Sequence, residues 1–80
     1  MTTFAFADGS ASRHPHLSLV QVNDDLWRVT RPEGDVLGYV EAFPVGDDRR
    51  YRAKRMMPRL RRLVAMGEFW SFDDSVDVFA

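Results

Sequence analysis

Cysteine is absent from this 80-residue chain. Disulfides, thiolate metal sites and cysteine nucleophiles are therefore excluded together, and the absence fits a cytosolic address. No run of 18 apolar residues occurs, so no helical membrane span is expected. The opening residues, Met1-Thr2-Thr3-Phe4-Ala5-Phe6-Ala7-Asp8, have neither a basic stretch nor an apolar core, so no secretory signal is expected either. The five glycines are scattered and form no phosphate-cradling loop. Net charge is also nearly missing, since 11 Lys and Arg stand against 12 Asp and Glu. An apolar fraction of 45% with so little net charge excludes wholesale disorder. A chain this short holds one small domain, which buries only about 60% of its unfolded surface.

The near-neutral total hides a segregation. Residues 49–62 carry 8 of the 11 cations and no acid, whereas residues 68–80 carry four acids and no cation. A basic block between acidic segments suits a nucleic acid or an acidic partner, or it pairs with the protein's own carboxylates. A pI near 6.0 lies below the basic balance usual in a dedicated nucleic-acid domain.

Residues 1–13 are small and polar apart from Phe4 and Phe6, and read as a flexible N-terminal tail; residues 14–80 read as a single α+β domain. Strands are expected at residues 17–22, 26–30, 36–43 and 50–56, from aliphatic and aromatic content and, in 26–30 and 50–56, from period-2 alternation. Asn23-Asp24-Asp25 supplies one turn. Arg31-Pro32-Glu33-Gly34-Asp35 supplies another, with Pro second and Gly34 left-handed. Residues 58–67 fit two readings: a helix behind Pro58 closed by Gly67, or a further strand within 62–66. Ser71, with Asp74 three residues on, begins a nine-residue C-terminal helix whose Phe72, Val76 and Phe79 form one stripe. So short a helix persists only when packed. The fold class is therefore α+β: an antiparallel meander of four or five strands covered on one face by the helix. Trp27, Val29, Val40, Tyr51, Phe72, Val76 and Phe79 are expected in its core.

The strings Trp27-Arg28-Val29-Thr30-Arg31-Pro32-Glu33-Gly34 and Gly67-Glu68-Phe69-Trp70-Ser71-Phe72-Asp73-Asp74 resemble a group of short, uncharacterised actinobacterial proteins over residues 17–80. That group is sometimes described as DNA mismatch repair proteins, an activity for which these residues give no basis. The resemblance favours a strand at 62–66. It also implies an alanine where this chain has Ser75, a departure that weakens helix packing slightly. In layout the chain resembles the sheet-plus-helix domains of AP2 and phage-integrase arm type, which implies a sheet laid in a DNA groove.

Catalytic machinery is scarce. His14 and His16 bracket Pro15, but no further ligand lies at metal-binding spacing, and nothing calls for a cofactor. The Asp24/Asp25 and Asp73/Asp74 pairs read as a turn and a helix start. No nucleophile elbow accompanies the serines. The protein is not expected to be an enzyme.

Two binding surfaces remain. Period-2 spacing puts Arg50, Arg52 and Lys54 on one strand face, and Arg55, Arg59, Arg61 and Arg62 would extend a patch suited to phosphate. A solvated or self-neutralised face explains the same residues. Residues 36–43 are apolar on both sides: Val36, Val40 and Ala42 one way, Leu37, Tyr39 and Phe43 the other. One short helix covers one face, so Leu37, Tyr39 and Phe43 are expected to support a homodimer or a protein partner. The reading is a small interaction module, with a nucleic-acid-binding accessory domain as the alternative. Trp27 suits the core; Trp70, just before the helix cap, suits partial exposure.

Overall fold

A computed structural model describes residues 16–80, so the expectations for residues 1–13 and for His14 lie outside the described part. Five antiparallel strands form one sheet in the order of the chain: β1 (Ser18–Asn23), β2 (Leu26–Thr30), β3 (Val36–Val45), β4 (Asp48–Met57) and β5 (Arg62–Phe69). One helix, α1 (Phe72–Asp77), packs across β3, β4 and β5. The α+β meander with a C-terminal helix is the fold expected from the pattern.

The turns follow from local chemistry. Asp25 N–H bonds the Asn23 side chain at 2.9 Å between β1 and β2. Between β2 and β3 the Gly34 N–H donates to the Arg31 carbonyl at 2.8 Å, with Gly34 at φ +109°, a region a side chain rarely adopts. Gly46-Asp47 closes β3 onto β4, Val45 pairing with Asp48.

The ambiguity at residues 58–67 resolves as turn, then strand. Leu60 and Arg61 N–H both donate to the Met57 carbonyl, at 3.0 and 2.8 Å. Arg61 then adopts φ +53°, which ends the single helical turn and sends residues 62–69 back along β4.

Period 2 divides the side chains into two layers. Trp27, Val29, Val40, Ala42, Ala53 and Leu17 face the helix and form the core with Phe72, Val76 and Phe79. Six of the seven expected core residues are buried; Tyr51 is half-buried against them. Phe72 sits edge-on to Trp27 at 4.9 Å and to Tyr51 at 5.7 Å between ring centroids.

The helix is shorter than the nine residues expected. Ser71 caps it, its hydroxyl accepting from the Asp74 N–H at 3.1 Å. It closes after six residues, with the Phe79 N–H donating to the Val76 carbonyl at 2.9 Å. That tighter turn still swings Phe79 into the core.

Ser75 is fully buried, and its hydroxyl donates to the Phe72 carbonyl at 2.6 Å. A satisfied hydroxyl costs little to bury, and alanine is the better helix former. Ser75→Ala should therefore move the urea unfolding free energy by less than about 0.5 kcal/mol. A loss above about 1 kcal/mol would show the hydroxyl to be structurally required.

Candidate functional site

The face of the sheet opposite α1 carries the residues that could meet a partner. Among the described residues nothing packs over it. The pairs Arg28–Tyr39, Tyr39–Lys54, Glu41–Arg52, Phe43–Arg50 and Arg52–Glu68 run across it in register. Arg50, Arg52 and Lys54 share this face, as their spacing predicts.

Their charges are largely answered by neighbouring strands. Arg52 is central: its guanidinium bonds Glu68 on β5 at 2.9 and 3.2 Å and Glu41 on β3 at 3.3 Å. Lys54 reaches the same Glu41 at 3.3 Å, and Arg50 lies 3.8 Å from Glu68. The Glu68 hydrogen bond above all, opposed by burial and helped by Glu41, makes Arg52 hold its proton more tightly than an ordinary arginine. Arg52 also lies over the Phe43 ring at 4.5 Å. Four cations (Arg28, Arg50, Arg52, Lys54) against three acids (Glu41, Asp48, Glu68) leave this face slightly positive. The carboxylates that neutralise it are strand residues; the acidic helix sits on the other side of the sheet.

The remaining cations of the basic block separate. Arg55 pairs with Gly38, turns toward the helix side and donates to the Val78 carbonyl at 3.4 Å, so it does not extend the patch. Arg59, Arg61 and Arg62 stand exposed at the β4–β5 turn, with no carboxylate partner among the described residues. Arg49 pairs with Asp25 at 2.8 Å. Trp70 is 61% exposed, and Arg50 lies 4.5 Å above its ring.

Leu37 requires a correction. Expected beside Tyr39 and Phe43, it is only 9% exposed and belongs to the core with Leu17 and Phe79. The cause is a bulge: Val29 pairs with Gly38 but Thr30 pairs with Val36, so Leu37 is the extra residue and turns inward. Tyr39 and Phe43 do lie on the open face, half-buried by their neighbours.

In place of Leu37, an apolar strip forms from residues that no single strand reveals. Val22, Leu26, Tyr39, Met56 and Leu63 line a shallow groove of about 520 Å³, rimmed by Arg28, Lys54 and Glu41. Arg28 donates to the Tyr39 hydroxyl at 3.4 Å and has no carboxylate partner among the described residues. The strip draws on β1 through β5, so only the assembled register brings it together. Such a surface can bind and orient a partner.

No helix of the described residues is long and apolar enough to cross a membrane. Comparison with family models, with curated proteins and with solved structures finds no match for this chain.

Proposed function

We propose that the protein is a small, non-enzymatic interaction module that docks a protein segment on the open face of its sheet. One observation carries this reading: a five-stranded sheet has one face under the helix, while the other presents the apolar groove of Val22, Leu26, Tyr39, Met56 and Leu63. Exposed apolar strips rimmed by charge mark interaction sites. The free valence of Arg28 and the positive excess of the face favour a segment combining aliphatic with acidic side chains.

A peptide-display selection on the immobilised chain should enrich such segments. Their affinity should fall at least about tenfold in Tyr39→Glu, which sets a carboxylate in the groove, and hold in Arg31→Ala, outside it. Binding indifferent to Tyr39→Glu would overturn the reading.

A nucleic-acid reading is favoured by a different observation: Arg59, Arg61 and Arg62 are exposed with no carboxylate partner among the described residues, and Trp70 is largely exposed. Fluorescence anisotropy with random duplex DNA, single-stranded DNA and RNA tests it. No binding at about 50 mM salt, where phosphate contacts are strongest, eliminates it.

A further inference from the structure

We propose that two copies of the chain join edge to edge through β1, extending their sheets into one. Among the described residues the order β1-β2-β3-β4-β5 leaves two outer strands, each with the backbone N–H and C=O groups of its outer edge unpaired. The two edges differ in chemistry. β5 carries Arg62 and Glu68, and its pairing is broken by a bulge opposite Ala53/Lys54. Charges and bulges of that kind protect an edge from further pairing.

β1, Ser18-Leu19-Val20-Gln21-Val22-Asn23, has no charge and no proline, and its only irregularity lies at the far end, between Gln21 and Asn23. Val20 and Val22 remain 47% and 45% exposed on the open face. Among the described residues no segment pairs with the outer edge of β1.

The occupant is a second copy because the strand complements itself. An antiparallel pair about a twofold axis at Val20 uses the regular residues 18–21 and Val22, the extra residue that the bulge leaves without a partner on β2. It sets Val20 on Val20, Leu19 on Gln21 and Ser18 on Val22, all on matching faces and none charged. Isologous contacts need such self-complementarity, and a charged strand near the axis would oppose like charges. The same pairing brings the two open-face grooves side by side, since Val22 lines each. This rests on the open face only for that continuity; the pairing itself is backbone to backbone. A contact of one short strand per copy is small, which places it among weak dimers.

Sedimentation equilibrium of the full chain from about 5 to about 500 μM should show the mass rising from 9.2 kDa toward twice that value. Val20→Lys opposes two ammonium groups at the axis and should weaken association at least tenfold. Tyr39→Glu, away from the edge, should leave it unchanged. Hydrogen exchange on the wild type reads the same contact without substitution: the alternate amides of residues 18–22 that point away from β2 should slow as concentration rises. A monomer throughout the range, or a dimer indifferent to Val20→Lys whose β1 amides do not slow, overturns the proposal. A dimer lost only in Tyr39→Glu overturns it too and assigns self-association to the open face. Because peptide docking is read separately, either surface can fail alone.

Discussion

Phe72→Ala should lower the unfolding free energy by about 3–5 kcal/mol, enough to unfold much of the population of so small a domain. Phe72 is 6% exposed and fits between Trp27 and Tyr51 with both rings edge-on. Truncation removes the area burial and the ring contacts together, and leaves a cavity that two rigid aromatics collapse into poorly. It also undoes the first turn of α1, which cannot persist undocked. In urea, with m near about 1 kcal/mol/M for a chain of this size, the midpoint should fall by roughly 3 M or more. Tryptophan fluorescence, from Trp27 and Trp70 together, and far-UV circular dichroism report it. Phe72→Leu retains most of the volume and should cost markedly less. A midpoint shift in Phe72→Ala below about 1 M would mean that the helix is not anchored through this ring.

Gly38→Ala should be nearly as damaging, for a different reason. A β-carbon at residue 38 would run into the Lys54 carbonyl oxygen on the neighbouring strand, and would stand 2.7 Å from Cε1 of Phe79. The first obstacle is backbone inside the β3–β4 pairing and cannot swing away; the second is a buried core ring. Overpacking of this kind costs about 3 kcal/mol, which for a domain of this length lowers Tm by roughly 12–24 °C. Gly34→Ala is the comparison. Its β-carbon meets nothing within 4 Å, so only the backbone strain at φ +109° opposes it, about 1–2 kcal/mol. Thermal melts should rank Gly38→Ala well below Gly34→Ala. The reverse order would mean that β3 and β4 do not approach as closely as described.

The layout of the first four strands was legible because residues 26–30 and 50–56 alternate, residues 17–22 and 36–43 are rich in aliphatic and aromatic side chains, and three junctions carry turn chemistry: Asn23-Asp24-Asp25, Pro32-Glu33-Gly34 and Gly46-Asp47. The extent of the second half was less so. Leu60, Leu63 and Val64 fall at helical spacing, and only the left-handed turn at Arg61, a residue without that preference, decides for a strand. For the candidate site, period 2 placed Arg50, Arg52 and Lys54 together. It misplaced Leu37, because a bulge is a property of two strands and Leu37 alternates correctly on its own. The neutralising partners Glu41 and Glu68 lie 11 and 16 residues from Arg52 in the chain. Their roles needed the register, which a hairpin count from Gly46-Asp47 would have supplied for Glu41. The bulge between β4 and β5 hides the register of Glu68 from such a count.

Because every strand pairs with the one just before it in the chain, assembly never requires a distant segment to be captured first. Each hairpin closes only a short loop, and loop-closure entropy grows with length. The two-residue connection at Gly46-Asp47 joins the two longest strands, so β3–β4 is where zippering starts with least entropic cost. The remaining strands add outward in both directions, and α1 docks only once β3, β4 and β5 exist beneath it. For an all-antiparallel sheet this is a low contact order, and the chain should refold faster than sandwiches or barrels of similar length.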